Sequence, residues 1–202
     1  MDASPLSIEH AFVFTPTAHA DDRGVFLEWY RYEQLRETVG HELGLRQANT
    51  SVSHKGVVRG IHYALVPPGQ AKYVTVLVGS AVDYVIDLRV GSPTFGQWEK
   101  VLLDAVDRRA VYIAEGLGHA FVSLEDNTVM SYLVSEVFNP VRELAINPLD
   151  TSIALDLDSL GIEPLLSPKD AAAPSLAQAL ADGQLPTYAE CVAYYAELSH
   201  TS

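Results

Sequence analysis

Apolar and polar positions follow one another in short runs along the first two thirds of the chain, with turn residues between them. Candidate strands are 10–14, 24–29, 45–53, 57–63, 71–78, 81–89, 97–104, 110–114, 119–124 and 128–136. Pro67-Pro68-Gly69, Gly79-Ser80, Gly91-Ser92-Pro93 and Glu125-Asp126-Asn127 separate several of them. The runs VTVLVG and VDYVIDLRV are rich in β-branched and aromatic side chains, which suit a pleated surface. Many short strands at this spacing predict an all-β sandwich or barrel rather than βαβ units. One helix is predicted over 31–39, ending at Gly40, a good residue for the left-handed position after a helix.

The last part of the chain has a different pattern. Residues 167–182, SPKDAAAPSLAQALAD, are Ala-rich and helix-like, and Pro174 is predicted to break them. Thr187-Tyr-Ala-Glu190 has the form of a capping box opening a final helix, with Tyr188, Val192 and Tyr195 on one apolar face. The expected organisation is one domain, with a strand-rich core over about 8–160 and a helical tail over about 165–200 packed on it.

Six segments carry polar residues whose placement needs a reason. In 45–53 the alternation puts Gln47, Asn49, Ser51 and Ser53 on one face, either a solvated outer surface or the polar lining of a barrel interior. Val57–Tyr63 holds Arg59, Gly60 and His62; regular alternation separates Arg59 from His62, and a bulge at Gly60 could turn both to one side. Lys72 shares a face with Val74, Val76 and Val78, as a frayed end or as a cation in a pocket. Tyr132 lies with Met130 and Val134, and His119 enters another strand. Asp150 follows Asn147-Pro148, where an aspartate ordinarily forms a turn. Taken singly, each has a purely structural reading.

Composition narrows the function classes. The chain has 202 residues, 48% hydrophobic and 19% charged, a globular profile, with a net charge of −13. Eleven of its 13 Lys and Arg fall in residues 1–110, so a surface this acidic disfavours nucleic acid, and an anionic ligand would use cations of the first half. The N-terminus lacks a basic, apolar signal pattern, no long apolar run predicts a membrane span, and Cys191 has no internal partner. A cytoplasmic protein is expected.

The combination VVRGIHY, PPGQAKYV, VIDLRVGSPTFGQW, GLGHAFVSLEDNTVMSY and LSPKDAAAP, with ADDRGVFLEWY and QANTSVSHKG earlier, resembles the dTDP-4-dehydrorhamnose 3,5-epimerase family over roughly residues 8–180. It looks most like the branch that tailors natural-product deoxysugars. The resemblance implies a cupin-type jelly roll, a homodimer that exchanges N-terminal β structure, and a dTDP-linked 4-keto-6-deoxyhexose as substrate. It implies no cofactor and no metal, and the chain lacks the His-x-His pair of metal-binding cupins, since Tyr63 and Ala64 follow His62. Position by position, it makes His62 the catalytic base, Asp150 its orienting aspartate, Lys72 the cation near the enolate and Tyr132 the proton donor. Arg23, Phe26, Glu28, Gln47, Asn49, Arg59, His119, Glu143 and Lys169 match positions that hold the nucleotide sugar, with Arg23, Phe26 and Glu28 reaching a neighbouring subunit. The chain departs from the pattern at GLGHAF, where the family often reads GFAHGF, and at Pro148 and Leu157, where it usually has tryptophans. Those changes bear on the shape of the sugar pocket rather than on the acid–base set. Two alternatives remain: a 3,4-ketoisomerase acting on the same kind of sugar, and a sugar-binding jelly roll without catalysis.

The implied chemistry needs these residue types together. A C–H beside a ketone is acidic because its conjugate base is an enolate. An imidazole of ordinary pKa about 6.5 can take such a proton near neutrality, and a carboxylate on its other nitrogen fixes the tautomer. A lysine at the ketone oxygen stabilises the oxyanion, and a phenol across the ring returns a proton to the opposite face.

Overall fold

In a computed structural model, which describes residues 1–201, antiparallel strands form two facing sheets. The strands are β1 (Asp2–Pro5), β2 (Ala11–Thr15), β3 (His19–Asp21), β4 (Gly24–Phe26), β5 (Gln47–Ser53), β6 (Val58–Ala64), β7 (Lys72–Val78), β8 (Ser80–Ile86), β9 (Trp98–Asp104), β10 (Ala110–Ile113), β11 (Gly118–Ser123), β12 (Thr128–Val134) and β13 (Glu143–Ala145). One sheet has the order β1-β2-β10-β7-β12-β5 and the other β13-β6-β11-β8-β9, while β3 and β4 form a separate hairpin. This is a jelly-roll sandwich. Each predicted strand overlaps an observed one; β1, β3 and β13 went unpredicted because three or four residues are too few to show a period.

The turn signal at Gly79 turns out to be a corner. β7 pairs with β10 and β12, whereas β8 pairs with β11 and β9, so the chain passes from one sheet to the other at this residue. Gly79 has φ +76°, and a Cβ on it would lie 2.7 Å from Thr128 Oγ1.

Between the sheets lies a core of Phe14, Val74, Val76, Val85, Leu103, Phe121 and Met130. The other face of the five-stranded sheet carries Ile61, Tyr63, Tyr84, Ile86 and Leu88, a second apolar layer covered by Ile153, Leu157, Leu176, Ala179 and Leu185. Residues 81–86 of β8 are therefore buried on both faces, which is why that stretch reads as continuous rather than alternating.

The helices are α1 (Tyr32–Val39), α2 (Pro168–Ala171), α3 (Leu176–Ala181) and α4 (Tyr188–Thr201). Gly40 ends α1 at φ +96°. The break at Pro174 separates α2 from α3, and each begins at a serine whose hydroxyl accepts a backbone N–H: Ser167 from Asp170 at 3.1 Å and Ser175 from Gln178 at 3.1 Å. The capping box forms as the sequence predicts, with Glu190 N donating to Thr187 Oγ1 (3.2 Å) and Thr187 N donating to Glu190 Oε2 (3.3 Å). The buried side of α4 matches the prediction in part: Tyr195 packs inward as expected, but Cys191 rather than Val192, which is 39% exposed, is buried with it. Among the described residues no helix is long and apolar enough to cross a membrane.

Candidate active site

The site begins with a bulge in β6. His62 pairs with His119 of β11, and Arg59 pairs with Phe121, so three steps along β6 match two along β11. The extra residue removes the alternation that would have put Arg59 and His62 on opposite faces. Gly60 makes this possible. It has φ +124°, and a Cβ there would lie 2.5 Å from His119 O and 2.6 Å from Ala120 Cα. Both side chains consequently face one cavity of about 510 Å³ between the sheets. Replacing Gly60 with alanine is expected to cost on the order of 1–3 kcal/mol in backbone strain, before the clash with β11 is added. At roughly 2–4 °C per kcal/mol for a chain of this size, thermal unfolding will show a clear drop, with activity falling alongside. An unchanged midpoint together with full activity would show that the bulge does not need glycine.

His62 is half-exposed at the cavity wall, and its Nε2 lies 2.7 Å from Asp170 Oδ1. Asp170 sits on α2, where the Ser167 cap orients it, and its side chain is only 6% exposed. Burial alone would raise the pKa of this carboxyl, but hydrogen bonds from His62, Ser167 and the Gly60 backbone hold it below the usual carboxylate range. It remains ionised and accepts the Nε2 proton, which leaves Nδ1 as the basic nitrogen.

Asp150 does not take part in this pair, contrary to the sequence expectation. Its carboxylate accepts from the backbone N–H groups of Ser152 (2.6 Å), Ile153 (3.3 Å) and Leu176 (2.7 Å), and from the Ser152 hydroxyl. It ties the loop after β13 to the start of α3, an extended form of the turn role such a residue ordinarily has. The sequence signal for Asp170 was present in SPKD, where a serine cap and Pro168 fix a short helical turn with the aspartate in its first turn.

The opposite wall belongs to the six-stranded sheet. Tyr132, on β12, pairs in register with Asn49 of β5 and Val74 of β7 and lines the same cavity as His62. Burial is the main reason its hydroxyl pKa lies above the ordinary phenol value; Glu143 adds to the rise and Arg59 opposes it, so the group stays a proton donor at neutral pH. Lys72, at the start of β7, is 7% exposed. Desolvation lowers its pKa to about 8, with the carboxylates of Glu143 and Glu115 resisting the fall. At neutral pH it is therefore still an ammonium, and a desolvated one.

The remaining predicted residues divide into two groups. Gln47, Asn49, Arg59, His119 and Glu143 line the cavity, which decides the open question about 45–53 in favour of a polar interior. Gln47 Nε2 donates to Asn49 Oδ1 (2.7 Å), Arg59 Nε donates to Ser53 Oγ (3.2 Å), and Glu143 Oε1 accepts from the Asn139 backbone (2.9 Å). Arg23, Phe26, Glu28 and Lys169 lie outside the cavity lining and are exposed. Arg23 and Phe26 belong to the β3–β4 hairpin, where Arg23 pairs with Asp21 at 2.5 Å and Phe26 is 69% exposed. Gln70, Phe121 and Phe138 also line the site and were missed; apolar or amide side chains give no chemical signal in a lone sequence.

A base held by a carboxylate on one sheet, a phenol on the other and a buried cation beside them suit proton removal and return at carbon, the work of an acid–base isomerase on a jelly roll. The family model described as dTDP-4-dehydrorhamnose 3,5-epimerase matches residues 5–178. An enzyme of that description from Mycolicibacterium smegmatis is 51% identical over 195 residues, covering 96% of this chain and 95% of the relative. The solved structure of the Mycobacterium tuberculosis rmlC epimerase superposes with a TM-score of 0.95 at 47% identity, over 98% of this chain and 100% of that one. ChmJ, a 3′-monoepimerase from Streptomyces bikiniensis solved in complex with dTDP-quinovose, superposes with a TM-score of 0.94 at 46% identity, over 97% of this chain and 98% of that one. The chain belongs to the dTDP-4-dehydrorhamnose 3,5-epimerase family.

Proposed function

We propose that this protein inverts a stereocentre beside the C4 ketone of a dTDP-linked 4-keto-6-deoxyhexose, at C3, C5 or both, as a step of deoxysugar biosynthesis. The observation that carries the reading is that His62 and Tyr132 enter one cavity from opposite sheets, with Lys72 also in its wall. His62 Nδ1 takes the carbon-bound proton while Asp170 stabilises the imidazolium through Nε2. The electron pair moves onto the C4 oxygen, where the Lys72 ammonium meets the developing charge. Tyr132 then protonates the carbanion on the face opposite the one attacked by His62, and inversion follows.

The same lining supports substrate recognition. Arg59, Gln47 and Asn49 offer donors for the nucleotide's phosphates and ring oxygens, and His119 and Glu143 face the sugar. Two relatives frame the choice of stereocentre: one carries the 3,5-epimerase description and the other is a 3′-monoepimerase. The enzyme works as a homodimer in the cytoplasm, with Arg23, Phe26 and Glu28 completing the neighbouring subunit's site. The exposure of Val25 (61%) and Phe26 (69%) on a hairpin with no sheet partner favours this arrangement.

Incubating the protein with a dTDP-4-keto-6-deoxyhexose in deuterium oxide tests the reading. Proton NMR is expected to show loss of the C3 or C5 hydrogen signal and growth of an epimer. Substrate recovered with both positions fully protiated would refute it.

A further inference from the structure

Asp83 has no part in the proton transfers of His62 and Tyr132, yet it is 0% exposed in the middle of β8. Its Oδ2 is 2.6 Å from Nε2 of His119, while its Oδ1 has no partner among the described residues. β8 and β11 are adjacent. Asp83 stands opposite Phe121, and His119 stands opposite Val85, so Asp83 and His119 are diagonal neighbours on the face turned to the interior. On its other side His119 pairs in register with His62. The sandwich therefore holds two histidine–aspartate pairs side by side, one accessible and joined to the tail, the other enclosed.

A buried carboxylate with half its hydrogen-bonding capacity unused is a poor way to stabilise a strand, because an apolar side chain of similar size would avoid the desolvation cost. Burial pushes the Asp83 carboxyl up, and His119 pulls it back down. Among the described residues, His119 is thus the group that gives an acid at this position a purpose. Phe121 packs near the imidazole, with ring centroids 6.4 Å apart, which further limits its rotation. Since Nε2 is committed to Asp83, Nδ1 is the ring nitrogen left for whatever occupies the cavity that His119 lines.

We propose that Asp83 is a positioning residue for epimerisation, fixing the orientation and tautomer of His119 so that Nδ1 is presented to the sugar beside the reacting carbon. The proposal rests on the epimerase reading, and concerns how His119 is held towards the sugar as the proton moves, not which group removes the proton. Asp83→Asn keeps the shape and removes the charge. An amide at that position can donate to Nε2 and leave the proton on Nδ1, reversing what the ring offers to the substrate.

The test compares wild type and Asp83→Asn in one epimerisation assay, alongside long-range ¹H–¹⁵N NMR of the histidine rings. The expected result is a fall in kcat of roughly 10–100-fold, the range seen when groups behind a site residue are removed, with KM changed less than about threefold and the thermal midpoint preserved. His119 should show an Nε2-protonated ring in the wild type and lose that signature in the variant. Adding Asp83→Asn to His119→Ala should lower kcat no further, because the two side chains act as one unit. An unchanged kcat, or a loss that only tracks the fraction unfolded, would overturn the proposal. If the wild type itself gave no epimer, the epimerase reading would fail, while the NMR comparison would still decide whether Asp83 sets the ring of His119.

Discussion

Asp170→Asn is expected to lower kcat by roughly 10³–10⁴-fold while leaving the protein folded, the scale seen when the aspartate behind a catalytic histidine becomes an amide. The Gly60 backbone N–H also favours an oxygen acceptor at residue 170. The asparagine oxygen will serve it, which turns the amide nitrogen towards His62. That nitrogen donates rather than accepts, so the imidazole proton moves to Nδ1 and the atom facing the substrate loses its lone pair. Asp150 supplies the contrast. Asp150→Ala removes the acceptor for three backbone N–H groups and is expected to cost on the order of 1–3 kcal/mol per donor left buried, lowering the unfolding midpoint while residual activity follows the folded fraction. Burial would raise the Asp150 carboxyl, but the hydrogen bonds from Ser152, Leu176 and Ile153 hold it below its ordinary value. Its contribution is therefore present above the unfolded pKa of about 3.9 and is lost as pH falls through the lower folded value. Steady-state kinetics and thermal unfolding of both variants check the pair. A catalytic collapse in Asp150→Ala with full activity in Asp170→Asn would reverse the assignment.

Lys72→Met is expected to cost about 10²–10³-fold in kcat, the usual effect of losing one donor to a developing oxyanion. Methionine keeps most of the length and packing of the lysine stem, so the loss reports the charge. The wild-type profile carries a second signature. Because burial brings Lys72 to about 8, the ammonium is lost as pH rises through that value, and kcat should fall there. Deprotonation removes the favourable charge, so the sign is a decline on the alkaline side. The Lys72→Met variant should be slow throughout and lack that limb. A wild-type limb that survives unchanged in the variant would assign it to another group.

The sequence pattern revealed the sandwich because its strands have a turn residue at most boundaries and enough length to show β-branched or alternating character. It did not reveal which side of 45–53 faces inward, since alternation of small polar and apolar residues looks the same from either face; only the partner sheet distinguishes them. The bulge in Arg59-Gly60-Ile61-His62 was legible in advance, because a glycine inside a strand marks the place where the backbone can leave its regular alternation. The partner of His62 was misjudged for a physical reason. Asp150 and Asp170 are 20 positions apart in the chain, both start turns capped by hydrogen bonds, and only the packing of α2 against β6 brings one of them to the imidazole. Asp83 was invisible for a similar cause: a single acid in an apolar strand gains meaning only from the strand beside it. On α4 the stripe through Tyr195 was legible and only Val192 was misread as core, since Cys191, one position before it, takes the buried place.

The most direct test of the two-sided mechanism is to follow solvent deuterium and stereochemistry together in Tyr132→Phe. With the base intact and the opposite acid removed, deuterium should still enter beside the ketone, delivered back from the His62 side, while formation of the inverted sugar falls by at least the roughly 10²-fold typical of a lost general acid. If Tyr132→Phe inverted the centre at the wild-type rate, or lost exchange and inversion in equal measure, protons would not be entering from opposite walls of the cavity.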